Sequence, residues 1–238
     1  MHKAIFLLFL ILFINGYSQK EINSTKRTGQ ISLDGDLEEA DWLNANWTSG
    51  FTQMKPFPGE KASKKTEVAM LFDQEAIYFG VKCYDHPDSI SRVLSLRDDF
   101  NPNLDFFGIF LDTYNDKQNG FFFGLSSRGV QVDAKIFSED FNDLLNLVWR
   151  SKTQINDQGW FAEIKIPYSA IRFPKEKIQD WNINFGRAIS RYREENTWHP
   201  VNPDLENYLL ESGKVKNIQG IEPPLRLALI PYLSTYVN

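Results

Sequence analysis

The chain of 238 residues has one cysteine, three histidines and three methionines. A single cysteine closes no disulfide within the chain, so the fold must rest on its apolar core, alone or with a bound metal. Cys83 lies in the apolar phase Ile77, Phe79, Val81, Cys83 and reads as a packed thiol rather than a nucleophile. The histidines are His2, His86 and His199, and neither HExxH nor GxSxG occurs, so zinc hydrolysis and acyl transfer lack their minimal parts. Neither sign of charge dominates. With 26 basic against 31 acidic residues and a net charge of −5, nucleic acid and anionic membrane surfaces are disfavoured as partners. The longest apolar run, Ala4–Ile14, is too short to span a bilayer.

That run suits a different purpose. His2 and Lys3 precede it and the small-residue exit Gly16-Tyr17-Ser18 follows, so residues 1–18 read as a secretory signal. The mature chain is then expected in the periplasm, at the outer membrane or outside the cell. The absence of cysteine at the processing site argues against a lipid anchor. Residues 19–28 read as a polar linker, 29–220 as one domain, and 221–238 as the start of a further β-rich region, because a strand restarts after Pro223-Pro224.

Aromatic side chains are abundant: 6 Trp, 9 Tyr and 19 Phe. Around Asp105–Ala134 three apolar runs are separated by Asn115–Gly120 and by Ser127-Arg128-Gly129, which predicts consecutive antiparallel strands. Phe106 and Phe110 fall on one face of the first, and Phe107, Ile109 and Leu111 on the other; apolar faces on both sides place it inside a sandwich. Thr66–Asp73 and Ala76–Asp85 form a hairpin around Gln74-Glu75. Trp160, Ala162, Ile164 and Ile166 alternate with Phe161, Glu163 and Lys165. Ile31–Leu33 reads as a short strand, and a helix capped by Asp36 runs to about Asn44 with Trp42 as core. The prediction is an all-β antiparallel β-sandwich with one or two short helices.

One strand departs from a plain core pattern. Along Trp181–Tyr192, Arg187 and Arg191 share the phase of Trp181, Ile183, Phe185 and Ile189. A guanidinium in that phase must find a carboxylate or a ligand oxygen. Asp133 is one candidate, for Arg187 or for Arg97.

These residues resemble a known family. Ile31–Gly35 with Asp36, Glu39 and Trp42, Tyr78–Val81, Asp112-Thr113-Tyr114, Gly129–Ala134, Gly159-Trp160 with Glu163, Ile166-Pro167, Arg172-Phe173, and Phe185-Gly186-Arg187 with Arg191 resemble the family 9 carbohydrate-binding modules. The likeness spans roughly residues 28–218 and is closest to modules at the front of long bacterial cell-envelope proteins. It implies a β-sandwich with structural calcium and a sugar end held between two tryptophans. Trp198 with Trp47 or Trp149 would form that clamp, each of them serving equally well as core. Arg97, Arg187 and Arg191 would reach the sugar hydroxyls. Asp98, Asp99, Asp105 and Asp112, with Asp116 beside the last, would offer oxygens to calcium, which takes about six to eight; no EF-hand spacing is present.

The expected function is non-catalytic binding of a polysaccharide or oligosaccharide in carbohydrate catabolism. Asp99 and Glu163 are the pair a glycosidase would need, but their positions are expected to face solvent. Two alternatives stand beside this reading: a structural domain packing against a C-terminal outer-membrane β-region, and an accessory domain of a membrane-associated glycoside hydrolase.

Overall fold

The computed structural model describes residues 19–137, 140–142, 146–204 and 208–225. The signal sequence and most of the segment 221–238 lie outside the described residues. Two mixed sheets face each other. In the larger, β1 (Glu21–Asn23), β4 (Thr52–Lys55), β7 (Phe106–Asp112), β8 (Asn119–Ser126), β9 (Gln131–Phe137), β10 (Asp140–Asn142), β13 (Asn182–Ile189), β14 (Glu194–Thr197) and β15 (Gly213–Lys216) take part. Its main order is β1-β15-β13-β7-β8-β9-β10, and β14 joins β13 to β4. The smaller sheet holds β2 (Thr25–Lys26), β3 (Trp47–Thr48), β5 (Thr66–Phe72), β6 (Ala76–Tyr84), β11 (Arg150–Asn156) and β12 (Gly159–Pro167), in the order β11-β12-β6-β5-β2 with β3 also on β5.

Most pairs are antiparallel and follow the predicted turns. Asp73 closes the β5–β6 hairpin by accepting hydrogen bonds from the Glu75 and Ala76 amides at 2.8 and 2.9 Å. Two pairs are parallel, β1 with β15 and β2 with β5. They correct the linker expectation for residues 19–28: this polar stretch closes an edge of each sheet, and Ile22 is buried. Polar composition hid it, because an edge strand needs backbone pairing more than apolar side chains.

Between the sheets lie the residues whose phase was apolar, among them Phe79, Phe107, Phe123, Trp160, Trp181, Phe185 and Trp198. The helix is shorter than expected, α1 at Ala40–Leu43, because Leu37 takes a left-handed backbone (φ 61°) and Asp34 and Gly35 are tied to Glu163 instead. Ile31–Leu33 is not a strand. The segment nevertheless folds over the outer face of the smaller sheet, where Leu37 and Trp42 pack on Leu71, Tyr78 and Phe161. Glu163, expected at the surface, is fully buried beneath it.

Candidate functional site

The outer face of the larger sheet carries a groove lined by aromatic rings. Strand alternation that sends Phe107, Ile109 and Leu111 inward sends Phe106, Gly108 and Phe110 outward. The register aligns Thr197, Gly186, Gly108, Gly124 and Val132 in one line across β14, β13, β7, β8 and β9. Glycines there leave room for flat rings. A Cβ on Gly108 would lie 2.6 Å from the Phe122 ring, and one on Gly124 would meet Phe106. Phe106 and Phe122 therefore lie over the sheet, nearly parallel at 6.2 Å, with Phe100 stacked on Phe122 at 5.8 Å. Phe110 meets Phe122 at 4.9 Å and Tyr208 at 5.0 Å.

These rings, with Met54, Ala188 and Gly186, bound a groove of about 470 Å³. An adjoining cleft of about 320 Å³ shares Phe100, Phe106, Ala188 and Glu195, and adds Asn101, Arg193 and Glu194. The polar character lies at this margin. Glu195 pairs with Lys55 at 3.2 Å, and Glu194 accepts the Ser63 amide at 2.9 Å. Burial pushes the Tyr208 hydroxyl above its ordinary pKa, so it stays a neutral donor. Thr197, which lines the groove, is 4% exposed, and its hydroxyl finds no hydrogen-bond partner among the described residues.

The residues expected to bind sugar are not gathered here as side chains. Trp198 is fully buried between the sheets and donates to Thr48 Oγ1 at 2.9 Å. Trp47 lies on the other side of the smaller sheet, beside Trp42 and under Lys82 Nζ at 4.1 Å. Trp149 is core, with its Nε1 donating to Asp133. No two of these three form a clamp: one strand register puts Trp47 and the Thr48 partner of Trp198 on opposite faces. Arg187 turns inward and donates to the carbonyls of Lys65 and Tyr84 at 2.8 and 3.0 Å; only its backbone floors the groove. Arg97 is the arginine that holds Asp133.

Arg191 forms a two-pronged pair with Asp85 at 2.7 and 2.8 Å, with Lys64 and Arg187 also near that carboxylate. Burial pushes the Asp85 carboxyl up, but the Arg191 hydrogen bonds, the His86 amide and the neighbouring cations outweigh it and hold it below 3.8. A depressed carboxyl stabilises the fold above its unfolded pKa and stops doing so as pH falls through the folded value. Asp85→Asn should therefore be less stable at neutral pH by about 3 kcal/mol, from cations left without a buried partner, and lose less stability on acidification. Denaturant midpoints measured across that range check both parts; parallel curves for the two proteins would contradict the linkage.

Three of the four aspartates expected to hold calcium, Asp98, Asp105 and Asp112, already accept hydrogen bonds within the protein. Asp105 accepts from Ser91 and Ser190 amides and the Ser190 hydroxyl. Asp112 caps its turn through the Tyr114 and Lys117 amides and takes Asn182 Nδ2. Asp98 accepts the Asp133 amide, and Asp99 is exposed. Among the described residues the carboxylates that do converge are Asp34, Glu39 and Glu163, within 4.8 Å of one another. Both Glu163 oxygens already accept N–H donors there. Turn-capping and metal-binding aspartates share the same residue type, which is why sequence did not separate them.

The phenylalanine groove was the part that sequence reasoning missed. Its signal was present in the outward phase of Phe106 and Phe110, read there as a second core face.

No family sequence profile matches the chain, and no curated protein sequence does. Solved structures do. A family 9 carbohydrate-binding module from Caldicellulosiruptor kristjanssonii in complex with cellotriose superposes with a TM-score of 0.59 at 16% identity, covering 90% of this chain and 100% of its own. The glucose complex of a family 9 module from the same organism gives 0.59 at 16%, covering 88% and 99%. A candidate carbohydrate-binding protein from Bacteroides uniformis gives 0.68 at 12%, covering 86% and 100%. The chain has a fold like that of the family 9 modules.

Proposed function

We propose that this chain is a non-catalytic carbohydrate-binding module whose ligand lies across the phenylalanine groove and its polar margin. The observation that carries the reading is the groove itself: aromatic rings laid flat on a sheet, beside hydrogen-bonding side chains, on a fold like that of sugar-binding modules. A sugar offers an apolar C–H face to such rings and hydroxyls to a polar rim. The two acids nearest the groove, Glu194 and Glu195, are consecutive on a strand and so belong to opposite faces, which does not suit the paired carboxylates of glycoside hydrolysis. Export and a part in carbohydrate catabolism belong to this proposal.

Titration calorimetry with cello- and xylo-oligosaccharides tests it. Phe110→Ala should weaken binding by about fivefold or more, since one aromatic contact supplies about 1 kcal/mol. A folded protein that gives no heat with any glycan would refute the reading. The same titrations and melts before and after chelation test the calcium that the family likeness implies; a melting temperature unmoved by chelator removes it.

One observation favours a structural domain instead: Trp198 and Arg187 are buried and serve packing. On that reading a further β-region covers the groove, and the groove should gain solvent protection in a longer chain without any glycan.

A further inference from the structure

The line of glycines across the groove is unevenly used. Over Gly124 and Gly108 the protein's own Phe106 and Phe122 occupy the space against the backbone. Over Gly186, the next glycine in the line, the nearest atoms to an added Cβ are Phe110 Cε2 at 3.4 Å and the Asn196 carbonyl oxygen at 3.8 Å. Gly186 and Ala188 keep accessible surface in the middle of an otherwise buried strand. The pattern of ring on glycine is thus filled by the protein at two positions and open to solvent at the third. Beside Gly186, its strand partner Thr197 holds the buried hydroxyl that no group among the described residues satisfies.

An unsubstituted sugar suits this spot poorly. Each hydroxyl buried without a partner costs about 1–3 kcal/mol, and the outward polar side chains of the groove, Glu195, Thr197 and Tyr208, stand against four phenylalanines, Met54 and Ala188. Further groups able to meet hydroxyls, Asn101, Arg193 and Glu194, line the adjoining cleft, which shares Glu195 with the groove. The geometry points to a saccharide bearing a flat aromatic substituent as the ligand: the ring lies on Gly186 against Phe110, an oxygen on its edge meets Thr197 Oγ1, and the sugar occupies the cleft. This rests on the carbohydrate reading and narrows it to one ligand class.

Three ligands separate the two claims in calorimetric titrations of the whole protein: cellotriose, methyl β-cellobioside and phenyl β-cellobioside. The phenyl glycoside should bind about tenfold more tightly than the methyl glycoside, the increment expected for burying and stacking one ring. In Gly186→Val, a strand-compatible change that fills the open position, that ratio should collapse towards one. A 4-hydroxyphenyl glycoside should gain a further factor of about three over phenyl through the Thr197 hydroxyl, and lose it in the isosteric Thr197→Val, which leaves packing intact. Equal affinity for the phenyl and methyl glycosides overturns the inference and leaves the carbohydrate reading standing, as does binding of cellotriose alone. No binding of any of these sugars overturns both. A ratio that persists in Gly186→Val places the ring elsewhere and also refutes the inference. Should Gly186→Val not fold, the wild-type ratio and the Thr197→Val comparison still decide.

Discussion

Trp198→Ala is expected to destabilise the protein by about 3–5 kcal/mol, the usual cost of deleting a large buried aromatic. Its indole has no exposed surface, packs on Phe185 at 5.5 Å between ring centroids, and lies against Gly213, where an added Cβ would collide with the ring. Its removal also strips Thr48 of a hydrogen-bond partner. The Trp198 carbonyl accepts Lys20 Nζ at 2.6 Å, so a collapse at this position would loosen the N-terminal edge as well. Denaturant unfolding measures the loss, and Trp198→Phe should recover more than half of it by refilling most of the volume. A tryptophan that served to stack sugar would behave in the opposite way. A Trp198→Ala protein with an unchanged unfolding midpoint and no glycan affinity would return Trp198 to the binding site.

The fate of Trp198 shows what a sequence can report about such a fold. Alternation tells which residues of a strand share a face, and it did so correctly for Trp160, Ala162, Ile164 and Ile166, all of them in the core. It does not tell what lies on the other face. Glu163 was expected to face solvent, yet the segment that buries it arrives from more than a hundred residues earlier, at Trp42. Phe106 and Phe110 looked like a second core face, and the groove they form depends on Gly186, Gly108 and Gly124 coming into line across three strands. No local pattern encodes that register. Arg187 was legible as a guanidinium in need of oxygens, but besides the Thr66 hydroxyl at 3.1 Å and Asp85 at 3.8 Å it meets the backbone carbonyls of Lys65 and Tyr84, which carry no side-chain signature. Sequence thus marked the residues under constraint more reliably than it marked the constraint.

Glu163 is the clearest such residue, and its replacement should rival the loss of Trp198. One carboxylate oxygen accepts the amides of Asp34 and Gly35, both at 2.8 Å, and the other accepts Trp42 Nε1 at 2.8 Å. A single buried side chain therefore anchors the whole segment that covers the outer face of the smaller sheet. Glu163→Ala leaves those donors without an acceptor, each costing about 1–3 kcal/mol, so a total near 4 kcal/mol is expected after partial rehydration. Leu37 and Trp42 should lose protection from hydrogen exchange before the rest of the sandwich does, because their packing on Gly80 and Tyr78 depends on that anchor. The pH dependence has a definite sign. Burial pushes the Glu163 carboxyl up, the Gly35, Asp34 and Trp42 bonds pull it back in part, and nearby Glu39 pushes the same way as burial, leaving it above 4.5. A raised carboxyl contributes stability that is full below the unfolded pKa and is lost as pH rises through the folded value. Wild-type stability should thus carry a component that declines above pH 4.5, opposite in sign to the contribution of Asp85. Glu163→Gln, which cannot ionise, should lack that decline while still losing stability, since an amide nitrogen must face donors on one side. A Glu163→Gln protein with the wild-type slope would assign the titration to another group, and wild-type stability in Glu163→Ala would show that the covering segment is held by packing alone.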